Sequence, residues 1–576
     1  MKIVKYIPAI IVLFLCAVEV VFAQKPKRID IQSGFSEIDE KAYPGATIFT
    51  RDAQGQVYFK HEGIEVWGDQ AVLYNADNFV RIYGKVKMRQ GDSLSMTSKY
   101  AEYSGNKQIA FAAGDVFMKS TNSTLTTDTL FFDRTRQEAF YRSGGTVRDT
   151  SSVLTSRIGK FFVEKDKYAF YQQVKLTNPE YIIDTGHLEY FPNNGNAYLF
   201  GPSTITGSNS VVYCERGFYD TRRDLGYFVK NSRIDYENRK IFGDSLYFER
   251  SKSFASASNN IRVIDTINNM VLRGHYAEVF REKDSVMITK RALAISAQEQ
   301  DSIYIHSDTI LITGPSEQRI VRGYYDVKMY KTDMSAKADS LYMEQSTGLT
   351  KLMNTASAIG RYQLDRKPNA PPLRPVVWHH ENQMTGDTVF LQHNKATEQL
   401  DSIFVYDDVF ITSLDKDGYN QVKGIKLYGK FKDNSLHIVD IVKNAEVFYY
   451  IRDADSVLTG IDKSKSNKLR ITFFENDVDV IVKLGQTDGT IYQDHELPKN
   501  ARSLRGLDWR GDERPLSVED LFIDERPYTL PVIRGIDLPK DQVPEQMENP
   551  KDLILEKRSL LHQTETSKPS KPKLPK

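Results

Sequence analysis

Cysteine is scarce in this 576-residue chain: there are two, Cys16 and Cys214. Cys16 falls in a stretch that reads as a secretory signal over residues 1–23. Lys2 and Lys5 form its positive start, residues 7–18 are mostly apolar, and Val21 and Ala23 precede Gln24. Bulky Leu15 stands where lipid attachment at Cys16 would need a small residue, so the segment is read as cleaved rather than lipidated. The exported chain then keeps only Cys214, which excludes an internal disulfide. Excess charge is lacking as well, with 77 basic against 76 acidic residues. Nucleic-acid binders concentrate basic charge on one face, so no nucleic-acid partner is expected. No other segment approaches 18 apolar residues in a row, so the mature chain reads as soluble. Phosphate-loop, zinc-protease, serine-hydrolase and paired-cysteine motifs are missing, and nothing argues for an enzyme, a metal or a cofactor. Helical periodicity is almost absent before residue 515.

What is present is period two, with 30 Phe and 32 Tyr to support it. Val80, Ile82, Val86 and Met88 share one face of "VRIYGKVKM", and Leu94 and Met96 continue the alternation in "LSMTSKY". Above this lies a longer period. The aromatics Tyr74, Tyr103, Phe132, Phe162, Tyr190, Tyr219 and Phe248 are spaced by 29, 29, 30, 28, 29 and 29 residues. After Phe248 the rhythm loosens to Val279, Leu311 and Met343. Internal repeats of this length mark a stacked, quasi-one-dimensional fold. The predicted class is all-β: an elongated repeat β-jellyroll or flattened β-solenoid, followed by short helices and a disordered tail. Taking each repeat as one coil gives about a dozen rungs and a rod roughly 55–60 Å long.

Five acids, Asp128, Asp244, Asp308, Asp339 and Asp387, recur before a small hydroxyl or β-branched residue. They read as turn caps at strand starts, because a catalytic site needs one local constellation rather than one acid per repeat. "HHEN" from His379 reads as a solvated loop, "DKDGYN" from Asp415 as a hairpin turn, and Cys214 as a small strand residue without a base to activate it.

"GDQAVLYNADNFVRIYGKVKM" (68–88) joins a Gly-Asp-x-Ala start to an aromatic anchor, a polar turn and a Gly-x-Val strand, and "KYAEYSGNKQIAFAAGDVFM" (99–118) repeats it. This resembles the OstA-like or LptA-like family, the organic-solvent-tolerance and lipopolysaccharide-transport domains of the Gram-negative periplasm. The resemblance is clearest over 46–206 and looser to about residue 450. "LRGLDWRGDERP" (504–515) is similar to the ending of long, multi-repeat Bacteroidetes-type members.

The resemblance implies a V-shaped jellyroll whose two sheets hold acyl chains between them. It also implies a periplasmic carrier of lipopolysaccharide, or a related lipid A glycolipid, towards the outer membrane. Implied partners are other jellyroll domains joined by edge strands, an outer-membrane barrel component, and copies of the chain arranged head to tail. The expected organisation is a lead-in at 24–45, repeats at 46–206 and 207–363, a proline-rich insertion at 364–386, closing repeats at 387–514 and a tail at 515–576. The expected lipid-facing residues are Val80, Ile82, Val86, Met88, Leu94, Met96, Ala112, Val116 and Met118. A filled structural or adhesive rod has the same period-two pattern and stays open as a reading. A carbohydrate-active β-helix would need acidic or basic residues clustered on one outer face, and substituting Asp244 and Asp339 would then abolish its activity.

Overall fold

The computed structural model describes residues 30–354 and 374–533, with residue 536, apart from short turn segments. The signal read over 1–23, most of the proline-rich stretch and the C-terminal tail lie outside the described residues. Those described up to Ile533 form one compact unit.

The unit is a single antiparallel sheet of 36 described strands in which each full crossing of the sheet pairs with the next along the chain. A typical crossing is the strand Phe79–Gln90, followed by Leu94–Ser104 and Ile109–Lys119. Eight crossings are interrupted and count as two short strands, such as Ile64–Gly68 with Gln70–Tyr74, which leaves 28 crossings. Each 29-residue repeat is therefore a hairpin contributing two rungs, not one coil. At about 4.8 Å per strand the stack is roughly 130 Å long, about twice the length expected from the repeat count.

Each crossing bends near its middle. In alternate strands two consecutive residues take left-handed φ, between +42° and +78°: Gly84–Lys85, Gly114–Asp115, Gln172–Gln173, Lys230–Asn231, Asn259–Asn260, Lys290–Arg291, Tyr325–Asp326, Asp407–Asp408 and Lys443–Asn444. The ladder slips at these places, for instance between Tyr83 and Val86 and between Val229 and Ser232. Such bulges bend and twist a strand, and repeated in register they fold the whole sheet along a lengthwise crease. The inward residues of both half-sheets then cover one another. They form one apolar cluster running from Leu94 to Phe473, preceded by a smaller one around Val57, Phe59, Ile82 and Val86.

Asp128, Asp244, Asp308 and Asp339 sit at this crease inside a strand, while Asp387 stands where a crossing is interrupted, just before the strand Thr388–His393. Asp128, Asp244 and Asp308 each fall at a register slip inside a strand. The Asp387 N–H donates to the carbonyls of Tyr406 and Asp407, at 3.1 and 3.0 Å, as the Asp69 N–H does to Tyr83 and Gly84. Their side chains accept from the neighbouring rung: Asn260 donates to Asp244 at 2.7 Å, and Arg374 to Asp387 at 2.8 Å. The structural role holds while the position differs, because the motif marks the bend of a strand rather than its beginning.

Other local expectations also shift. Residues 376–379 and 382–385 of the expected insertion are strands, Val376–His379 and Asn382–Thr385. His379 of "HHEN" is not solvated: it is buried and packs edge-on to Phe431. "DKDGYN" is the tight turn expected, between Leu400–Asp415 and Gly418–Lys432. The lead-in already pairs, through Asp30–Gln32 and Phe35–Glu37.

Candidate functional site

The interior of the folded sheet is the candidate site. Of the nine residues expected to face lipid, Ile82, Val86, Leu94, Met96, Ala112, Val116 and Met118 are buried, while Val80 and Met88 are half-buried and pack against the interior clusters. Burial follows position along the strand. Val86 and Val116, just past the crease, are 1% and 0% exposed. Towards the strand ends the inward side chains open to solvent. Met88, Val147, Leu176, Ile205, Ile234 and Val263 form a half-buried row along one lip of the fold. Ala139, Ala197, Phe248 and Val286 lie along the other. Dispersion and desolvation thus close the floor firmly, while the lips hold a line of apolar groups only partly withdrawn from water.

The floor carries a polar spine that the sequence reading missed. Ser98, Thr127, Ser156 and Thr185, spaced by 29 residues, are buried at the crease of alternate strands. Each hydroxyl donates to the carbonyl two residues on, Tyr100, Thr129, Ile158 and His187, at 3.0, 3.2, 3.1 and 3.2 Å. The hydroxyl satisfies an acceptor that the bend takes out of the ladder. Cys214 occupies the fifth position of the series, hydrogen-bonded to the backbone at Arg216, and burial pushes its thiol up to about 12. A thiol so placed is an inert core group. The signal was available as a Ser/Thr recurring at 29 residues, two or three positions before each aromatic half-strand.

Aromatic side chains divide between the two faces. Tyr83, Tyr100, Phe111, Phe131 and Phe140 form an outer ladder with successive centroids 5.1, 6.3, 4.6 and 5.1 Å apart. Inward anchors alternate with small partners: Tyr190, Tyr219 and Phe248 stand beside Ala197 and Gly226 in register. A Cβ on Gly226 would lie 2.4 Å from the Phe248 ring, so the glycine makes room for the aromatic.

The segment after the last strand, 493–533, runs back along the outer face of one half-sheet as a strap. Side chains from successive strands grip its carbonyls: Lys463 holds Ala501, Gln421 holds Arg502, Lys423 holds Arg505, Gln383 holds Asp508 and Ser335 holds Pro515. Lys290 and Asn259 hold Thr529 and Pro531. Leu497 and Leu504 pack on Phe410, Phe448, Tyr450 and Ile461, giving the outer face its own apolar cluster. "LRGLDWRGDERP" is the middle of this strap. Glu513 fixes it there: burial alone would raise its carboxyl, but Arg510 at 2.9 and 2.8 Å and Lys337 at 2.9 Å hold it down at about 2.

Nothing in this geometry assembles a reaction centre from the recurrent acids. Asp244 is at the crease of the strand Arg239–Glu249, whereas Asp339 is buried in Met334–Glu344, six crossings away. Among the described residues no group of His, Cys, Asp and Glu could hold a metal. No described helix is long and apolar enough to cross a membrane.

Residues 37–186 match the family described as OstA-like protein. The match covers about a quarter of the chain and is a likeness over those residues. They run from Phe35–Glu37 into the strand Tyr181–Phe191 and contain the buried hydroxyls Ser98, Thr127, Ser156 and Thr185. A solved structure is also similar: LptH, described as the LptA-homologous periplasmic component of the conserved lipopolysaccharide transport device from Pseudomonas aeruginosa. It is 15% identical, with 22% of this chain and 76% of that chain covered and a TM-score of 0.13. No curated protein matches.

Proposed function

We propose that this chain is a non-enzymatic periplasmic carrier that conducts lipopolysaccharide, or a related lipid A glycolipid, towards the outer membrane. Its acyl chains would occupy the space between the two half-sheets. The observation that carries the reading is an apolar interior running unbroken from Leu94 to Phe473 inside an OstA-like fold. Burying a methylene is worth about 0.8 kcal/mol, so a twelve-carbon chain represents about 10 kcal/mol gross. A trough of constant composition preserves that burial from rung to rung, and passage needs no nucleotide site in this polypeptide.

Both ends suit lengthwise extension. The first rung and the last, Asp477–Leu484 with Asp488–Tyr492, pair on one side only among the described residues. Exposed Phe35 at one end and Val480, Val482 and Ile491 at the other give these edges apolar side chains. Unpaired edges of this kind add strands from other jellyroll domains, from a barrel component or from a second copy.

The experiment is photo-crosslinking in living cells. A crosslinker replacing Ile82 or Val116 should capture lipid, and one replacing the outward Lys87 or Thr97 should not. Equal capture from both faces, or none, would sink the proposal. The rival reading, a filled rod, is favoured by the depth of burial at the crease, and it predicts uniformly lipid-free inward positions.

A further inference from the structure

An ion pair ties the two lips together beside a cavity of about 580 Å³. Its floor is apolar, made by Val263, Leu272, Val279, Val286 and Ile312. Its mouth is charged. Asp265 ends the strand Phe254–Asp265 on one lip, while Arg319 precedes Ile320–Lys331 on the other. Arg319 Nη1 meets Asp265 Oδ2 at 2.5 Å, and Arg239 Nε approaches the same oxygen at 3.7 Å. The Asn238 amide donates to the other oxygen at 2.8 Å. Asp265 and Arg319 are each 5% exposed.

A buried ion pair is a poor way to hold two apolar lips together, since well-packed hydrophobic residues of similar volume do it as well or better. Two guanidiniums converging on a single carboxylate oxygen over an apolar floor make, instead, an anion site with an internal occupant. We propose that this cavity binds an anionic amphiphile. Its phosphate or carboxylate replaces Asp265 on Arg319 and Arg239 and its chain lies on the floor, so the ligand bridges the two lips where Asp265 did. Glu282 and Asp284 also line the cavity, so the ligand's single anionic group must sit where the two arginines meet. The size fits, because pockets for small amphiphiles and cofactors run to about 300–1,000 Å³. The inference rests on the lipid-carrying reading and adds to it a point of entry or exit part-way along the trough.

The test uses the full chain and dodecyl phosphate below its micellar concentration, with dodecyl maltoside and inorganic phosphate as comparison probes. Asp265→Asn should bind dodecyl phosphate about tenfold more tightly than the native chain, and Arg239→Gln about tenfold more weakly, with dodecyl maltoside unchanged. Arg239 is the more exposed arginine, and Arg239→Gln leaves the buried pair intact, so it carries the test if Asp265→Asn does not fold. Equal binding of dodecyl phosphate by all variants, or inorganic phosphate binding as well as dodecyl phosphate, would overturn the proposal. Lipid captured at Ile82 and Val116 by a chain that ignores dodecyl phosphate would overturn this site while leaving the carrier reading intact.

Discussion

The strap gives the sharpest quantitative expectation, because two buried glutamines hold its backbone from both sides. Gln421, 1% exposed, donates to the Arg502 carbonyl at 3.1 Å and accepts from the Leu504 N–H at 2.7 Å. Gln383 does the same for the next stretch, donating to Asp508 at 2.7 Å and accepting from the Arg510 N–H at 2.8 Å. Gln421→Leu keeps the volume and removes both bonds, with a further one to the Tyr419 carbonyl, leaving the buried Leu504 N–H and the part-buried Arg502 carbonyl without these partners. Each orphaned group costs about 1–3 kcal/mol, so the opening free energy of the strap should fall by about 3 kcal/mol. That corresponds to roughly 100-fold faster amide exchange, at 1.4 kcal/mol per tenfold. Gln421→Glu, which still accepts but cannot donate, should show about half the loss in free energy.

Hydrogen exchange read peptide by peptide checks this. Residues 497–507 should accelerate while the strands beneath them do not. Gln383→Leu separates two modes of release. If the strap detaches as one unit, either substitution accelerates the whole of 497–525; if it peels, each acts on its own stretch. Exchange in 497–507 unchanged within about twofold for Gln421→Leu would refute the claim that these bonds hold the strap.

Three further outcomes follow from single positions. Cys214→Ser should be nearly neutral, within about 1 kcal/mol by denaturant unfolding, because Ser or Thr fills the equivalent place in four neighbouring repeats; the native thiol should also resist alkylation until the sheet opens. Phe228→Ala, at a fully buried ring stacked on Phe248, should destabilise by about 3–5 kcal/mol. Exchange should rise chiefly in the adjoining strands Ser210–Asp220 and Arg239–Glu249, since rungs contact only neighbours. His306, under Phe522 of the strap, is held below its ordinary value of 6.5 by burial, with Lys328 and Arg291 adding to the effect and the Ala292 carbonyl and Asp326 opposing it. A depressed histidine favours the neutral form in the fold, so its contribution is present above pH 6.5 and is lost as pH falls below that value. Proteolysis of the strap at pH 5.5 should be faster than at pH 7.5, and His306→Gln should flatten that difference.

The repeat was legible because its period and its parity are both written in large apolar residues. Val86 and Val116 face inward because they follow "GK" and "GD", the left-handed pairs that bend the strand. Counting each two-strand repeat as one rung is what halved the expected length. Reading the acids as turn caps put Asp128 and Asp244 at strand starts. An acid before Ser or Thr caps a turn in most contexts, and only the bulge opposite, formed by residues 114–115 or 259–260, shows that the strand continues through the bend. The Arg319–Asp265 tie was out of reach for a different reason. Its partners are 54 residues apart, on opposite lips, and nothing in a period-two pattern says which lip-end charges meet once the sheet is folded.

The strap, by contrast, left a mark that a stricter use of parity would have caught. A strand with one face on the core and one on water alternates, as Phe79–Gln90 does. The strand Ser435–Arg452 alternates through "LHIVDIV" and then breaks into "VFYY", where Val447, Phe448 and Tyr450 are all buried. Two-sided burial in one layer of sheet requires a second layer outside it. Leu497, Leu504 and Leu507, beyond the last hairpin in a stretch with no strand pattern of its own, supply that layer. Phe448 meets that segment while Val447 meets the interior, so the two clusters are separated by one thickness of backbone. Loss of the strap therefore exposes Phe410, Phe448 and Tyr450 without opening the trough. A strap-deleted chain should gain surface apolarity and self-association, yet keep the crease as protected as before.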